Sequence, residues 1–204
     1  FVETVVALSL CDKQDARTFA DYCRNLTQVR YRQGKMTDYT SRLHYFTWWG
    51  EDNAEMGIVS EVAPPRLATD GAFSAIQTIG IDYMTKHSDS YKQLKLHPEF
   101  TPVIREFENA SKGKKYLFVP KSNVGWSPRS SLGMVHSGDI LAMLTDKPGL
   151  DTSHIGIAVW QKGKLHLLNA SMIHKKVVLE TKTLYQYQQS QKHQTGIRAF
   201  RFVE

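Results

Sequence analysis

Apolar residues recur at helical spacing in the first third of the chain and at strand spacing in the last. Phe1, Val5 and Leu8 follow a three-and-four spacing, which predicts a helix over residues 1–11. Phe19, Tyr22, Cys23, Leu26 and Val29 or Arg30 continue the period, predicting a second helix from Asp15 to about Arg30. Asp12 and Asp15 are suited to cap or charge its start, and Gly34 to end it. Residues 35–70 change character. Leu43, Tyr45, Phe46, Trp48 and Trp49 crowd beside Arg42 and His44, an acidic, loop-like Gly50-Glu51-Asp52-Asn53 follows, and Pro64-Pro65 punctuates the chain. Ile76 to Tyr83 fits a strand or a helix equally. Glu99 to Ser111 reads as a helix with Val103, Ile104 and Phe107 on one face. From Tyr116 onward, strands are expected at 116–119, 138–145, 153–160, 164–170, 174–181 and 196–203, with a short helix near 183–190. Helices first and an antiparallel sheet second make the expected class α+β.

The expected organisation is a single domain over 1–204. It comprises a helical hairpin (1–33), a substrate-side insertion (34–115) and a sheet-forming part (116–204). At 204 residues, 41% apolar and 23% charged, the chain is long enough to bury a core and does not have the composition of a disordered, collagen-like or coiled-coil protein. Its apolar runs are too short for a membrane-spanning helix. Two cysteines are too few for a disulfide-built scaffold. The +6 net charge favours anionic partners, but it is spread along the chain, with tight runs only at Lys112–Lys115 and Lys175-Lys176. A nucleic-acid partner would rest on that charge alone and is not expected. The chain opens on Phe1, within a helical pattern. Residues 1–11 lack a basic leader region, Glu3 interrupts the apolar stretch, and Leu10 is too large for a position before a cleavage site. A native start upstream of Phe1 is the expectation.

His154 begins an otherwise apolar strand, Ser153-His154-Ile155-Gly156-Ile157-Ala158, and Asn169 ends the next one. If Lys162-Gly163 form a two-residue loop, Gln161 faces Lys164, position 156 faces 169, and 154 faces 171. His154 and Asn169 then become diagonal neighbours on one face, about 7–8 Å apart along the backbone. A loop one residue longer puts them on opposite faces. A His oriented by an Asn is the base half of a Cys-His-Asn site; a strand-end His and a turn-starting Asn without chemistry fit the same spacing. Neither cysteine suits the nucleophile. Cys11 falls at a helix C-terminus beside Asp12, the wrong end of the dipole, and Cys23 is expected on the buried face of the second helix. A Cys11–Cys23 disulfide across the hairpin is conceivable. His166 and His174 read as strand residues on a solvated face. No zinc signature, phosphate loop or dinucleotide fingerprint is present, so no metal or cofactor is expected. The segment Ser41 to Trp49 combines Arg42, which can fork onto a carboxylate, with flat aromatics that stack on sugars, although core packing accounts for it as well. Because Trp48 and Trp49 adjoin, only one is expected to face inward.

Several segments carry a resemblance. They are Phe1 to Leu8, Asn25-Leu26 through Tyr31-Arg32 and Gly34-Lys35, Ser41-Arg42-Leu43-His44-Tyr45-Phe46, Gly138-Asp139-Ile140-Leu141, Gly149 to Ala158, and Leu167-Leu168-Asn169-Ala170-Ser171. In this order they resemble the bacterial N-acetylmuramoyl-L-alanine amidase-like branch of the NlpC-type, papain-like cysteine peptidases. The resemblance implies a papain-like fold and cleavage of the amide between a muramic sugar and L-alanine in muropeptides or anhydromuropeptides. It also implies a periplasmic or secreted location and a Cys nucleophile in an Asp-Cys-Thr-Thr motif immediately before the segment matching Phe1-Val2-Glu3-Thr4. His154 matches the base, and Asn169 falls where a polar orienting residue is expected. Arg42, Tyr45 and Trp49, and more weakly Tyr31, are the expected substrate contacts. A non-catalytic muropeptide-binding module of the same fold is the alternative.

Overall fold

A long apolar run, Ile140-Leu141-Ala142-Met143-Leu144, has no polar alternation, and a strand of that kind needs cover on both faces. In a computed structural model, which describes residues 1–64, 72–125 and 131–203, this run forms the strand β4 (Ile140–Thr145), buried throughout. Its neighbours are β8 (Gln194–Phe202) and β5 (Thr152–Gln161), with β6 (Lys164–Ser171) and β7 (Lys176–Leu179) beyond β5. On the other side of β8 lie β3 (Lys115–Pro120), β2 (Ala75–Thr78) and, along a separate stretch of β8, β1 (Val59–Glu61). Every pairing is antiparallel.

Alternate residues of the sheet enter two cores. Ile140, Ile157 and Phe200 pack with the helical part of the chain, including α1 (Val2–Lys13), α2 (Phe19–Arg30), α3 (Phe46–Glu55) and α6 (Phe100–Ser111). Leu141, Met143, Ala158, Leu167 and Ile197 face the other way, toward Phe73, Leu132 and Leu184 at the start of α7 (Leu184–Gln189). Two short helices, α4 (Tyr83–Lys86) and α5 (Lys92–Leu96), complete the order of elements. Helices packed with an antiparallel sheet give the α+β class that the order of patterns predicts.

Several local expectations are corrected. The buried stripe of α1 is Val2, Val6, Ala7, Leu10 and Cys11, one step round from the Phe1–Val5–Leu8 stripe, and Leu8 is exposed. The second helix starts at Phe19 because Thr18 and Asp21 form a reciprocal capping box, which satisfies end groups that Asp12 and Asp15 do not reach. It stops at Tyr31, which is extended, so Gly34 lies in the following turn. Cys23 is exposed, Cys11 is buried, and both are free thiols. Gly50-Glu51-Asp52-Asn53 is helical. Both Trp48 and Trp49 are buried, because α3 is covered on two sides. Trp48 meets Tyr45 and Phe107 edge-on, whereas Trp49 stacks on Phe46, which itself meets Phe200. Ile76 to Tyr83 divides into the end of β2 and the start of α4. Pro65 lies outside the described residues. No described helix is long and apolar enough to cross a membrane.

Candidate functional site

A two-residue loop sets the geometry of the site. Lys162 and Gly163 both have positive φ, 49° and 74°, as in a hairpin turn that matches strand twist, and Gln161 pairs with Lys164. The register continues through Ile157 opposite Leu168. Gly156 therefore falls opposite Asn169, and His154 lies diagonal to it. The imidazole Nε2–H of His154 donates to Asn169 Oδ1 at 2.9 Å. Gly156 makes room for this pairing: a Cβ there would lie 2.6 Å from Leu167 Cδ1 and 2.7 Å from the Leu168 carbonyl. The β4–β5 register shifts between the Met143–His154 and Leu144–Thr152 pairs, which makes Ser153 a bulge immediately before His154. Bulges beside a functional residue re-aim its side chain.

His154 lines a cavity of about 460 Å³. Its other walls include the first turn of α1, residues of the Arg42–Trp49 segment, Met84, Tyr91 and the residues leading into β5. Asp151 holds two of these walls together. It is buried, and its Oδ2 accepts the backbone N–H of Thr47 at 2.6 Å in the first turn of α3. That end of a helix favours a carboxylate. The Asp151 carbonyl accepts from Gln77 Nε2 at 2.9 Å, fixing the same segment from the sheet side.

Glu3 anchors the charged rim. It accepts from Arg30 Nε at 2.9 Å and from Arg42 Nη2 at 3.2 Å. His44 also lines the cavity and donates from Nε2 to the Tyr39 carbonyl at 2.9 Å. Burial pushes its imidazole down to about 4, so it is neutral at pH 7.

The residues singled out in the sequence occupy different environments. His154 and Asn169 are brought together. Arg42 and Trp49 line the cavity, and the indole N–H of Trp49 has no protein partner among the described residues. Tyr45 lines it with its ring only. Its hydroxyl donates to Glu108 Oε1 at 2.7 Å and accepts the Met84 N–H at 2.8 Å, deep in the core. Burial raises the Tyr45 phenol. Tyr31 is not among the cavity-lining residues and bridges the backbone of Arg42 from the side. Cys11 and Cys23 do not line it either; the Sγ of Cys11 accepts from Asn25 Nδ2. Asp139, part of the Gly138-Asp139-Ile140 segment, is buried and held by Arg201 at 2.8 Å, a structural use. Sequence reasoning missed Asp151 and Glu180. Asp151 sits in the Gly149-to-Ala158 segment but has no local partner. The carboxylate of Glu180 accepts from Asn169 Nδ2 at 3.0 Å across a strand pair whose register the sequence does not announce. No group of three or more His, Cys, Asp or Glu among the described residues is placed to hold a metal ion.

Residues 1–197 match the model of a family described as N-acetylmuramoyl-L-alanine amidase-like. The chain belongs to that family. The amidase-like chain is also similar to solved structures along nearly its whole length. An N-acetylmuramoyl-L-alanine amidase from Bacteroides uniformis is 34% identical, with a TM-score of 0.87 over 99% of this chain and 81% of that one. A Bacteroides fragilis protein described as a candidate xylanase is 38% identical, with a TM-score of 0.87 over 98% of this chain and 84% of that one. A Legionella pneumophila protein, 20% identical with a TM-score of 0.64 over 100% of this chain and 74% of that one, shares the fold alone. No curated protein matches the amidase-like chain.

Proposed function

We propose that the chain carries the base half of a cysteine-dependent amidase with a papain-like, NlpC-type arrangement. Its proposed reaction is cleavage of the amide between N-acetylmuramic acid and L-alanine in muropeptides, in the periplasm or outside the cell. The observation that carries this reading is the 2.9 Å His154–Asn169 hydrogen bond at the wall of a cavity that also includes the first turn of α1. With Nε2 donating to Asn169, Nδ1 is the basic nitrogen of the ring.

In this mechanism the nucleophile is the Cys of an Asp-Cys-Thr-Thr motif directly preceding Phe1, at the N-terminal end of α1. There the helix dipole favours a thiolate. His154 takes the thiol proton, and sulfur attacks the lactyl carbonyl. Backbone N–H groups at the helix start hold the oxyanion. The C–N bond then breaks, and the imidazolium returns its proton to the departing L-alanine amine. Water hydrolyses the thioester with His154 as base. Arg42 and Trp49 supply cation and aromatic contacts to the substrate.

The chemistry of the cavity favours amide over glycoside cleavage. Glycosidases of the common kind need two available carboxyl groups flanking the bond. Glu3 is bound by two arginines, and Asp151 is committed to a helix end. Digestion of purified muropeptides by the native protein, read by mass spectrometry, tests the proposal. Release of the intact peptide with a free L-alanine amine is expected, together with at least 10²-fold loss in His154→Ala. Unchanged turnover in His154→Ala rejects the mechanism. Saturable binding without cleavage would identify a binding module instead.

A further inference from the structure

The register of β5, β6 and β7 aligns three polar side chains. His154 lies diagonal to Asn169. On the next pairing Asn169 is opposite Val178, so Glu180 lies diagonal to Asn169 on the same face. Asn169, 1% exposed, spans the two, with Oδ1 accepting from His154 and Nδ2 donating to Glu180 Oε1 at 3.0 Å. Glu180 is itself clamped at the backbone. Its N–H donates to the Leu167 carbonyl at 2.9 Å, and its carbonyl accepts from His166 Nδ1 at 3.0 Å.

A side-chain amide has a donor end and an acceptor end, and rotation by half a turn exchanges them with little change of shape. Beside a neutral imidazole, either orientation makes a good hydrogen bond. With Oδ1 toward Nε2, the ring carries its proton on Nε2; with Nδ2 toward Nε2, it carries it on Nδ1. The second form has no basic nitrogen at Nδ1. A carboxylate only accepts, so it admits only the donor end of the amide.

We infer that Glu180 is a positioning residue: by accepting from Asn169 Nδ2 it fixes the amide orientation and, through it, the tautomer of His154. This rests on the proposed role of His154 as the base. Glu180 is not among the cavity-lining residues and acts through Asn169.

The test is the ¹⁵N spectrum of the His154 ring in the native full-length protein, recorded at a pH high enough to leave the imidazole neutral, which reads the tautomer without turnover. The parent protein is expected to show Nε2–H alone. Glu180→Gln, which can accept or donate at that point, is expected to show a mixture with Nδ1–H and about two- to tenfold lower kcat at unchanged KM. Asn169→Asp combined with Glu180→Gln is expected to restore a single Nε2–H form, because an aspartate accepts from either oxygen. A single Nε2–H tautomer in Glu180→Gln, or a persistent mixture in the double variant, overturns the inference. Failure of the parent protein to cleave muropeptides counts against the proposed function, whereas the tautomer decides the role of Glu180 by itself.

Discussion

The carboxylate of Asp151 accepts the backbone N–H of Thr47 across 104 residues of sequence, tying the entrance of β5 to the first turn of α3. Through that bond the element that aims His154 is docked on the element that carries Trp49.

Asp151→Ala removes this partner and leaves a buried N–H unsatisfied at a helix start. The expected cost is about 1–3 kcal/mol of stability, measured by urea unfolding. Wild-type stability in this variant would show that the two walls are held independently.

Gly156→Ala is expected to be more damaging to activity than to folding. Its Cβ would press on the Leu168 carbonyl, a backbone atom that cannot swing aside. Strain of about 1–3 kcal/mol should part β5 from β6 and lengthen the His154–Asn169 bond. Loss of at least about tenfold in kcat, alongside a retained cooperative unfolding transition, is the expected result.

Tyr45→Phe separates a core role from a substrate role. The Met84 N–H and the Glu108 carboxylate each lose a buried partner. Stability should fall by about 1–3 kcal/mol while the KM for muropeptide stays unchanged. A raised KM at full stability would return Tyr45 hydroxyl to the substrate.

His44 makes stability depend on pH. Its imidazole titrates near 6.5 when unfolded and at about 4 when folded. Between these values the unfolded chain binds a proton that the folded chain refuses. Stability therefore falls as pH drops from about 6.5 to about 4, by about 3 kcal/mol from this group alone. Below that interval the loss from His44 levels off. His44→Gln, which keeps a donor toward the Tyr39 carbonyl without an ionisable ring, should flatten that part of the profile. An unchanged profile would assign the acid sensitivity to other groups.

The sheet-forming part of the chain, 116–204, is readable because its signals are local. Strand alternation puts His154 and Asn169 on one face for a two-residue loop and on opposite faces for a loop one residue longer, and the structure has the two-residue Lys162-Gly163 turn. The helical part was harder. Gly50-Glu51-Asp52-Asn53 has poor local helix propensity, and long-range contacts support its helix: Gly50 sits against Phe200, Asp52 accepts the Gln33 N–H, Asn53 donates to the Val29 carbonyl, and Asp151 caps the helix start. Thr18, not an aspartate, starts α2 because Asp21 reciprocates its hydrogen bond. The core role of the Tyr45 hydroxyl has no local signal because its partner, Glu108, is 63 residues away. Glu180 was invisible for a related reason: the Ser171–Lys176 connection has no turn signature that fixes how β7 registers on β6.

Surface hairpin loops are ordinarily where related proteins drift in length with little penalty. The Lys162-Gly163 turn is exposed, yet its residue count acts as a phase setting for everything down the ladder. Substitutions there can accumulate freely so long as positive φ is tolerated, but a single inserted or deleted residue would turn Asn169 away from His154 without touching either. Across descendants of this chain, the turn should vary in spelling and hold its length, a constraint imposed from some eight residues away.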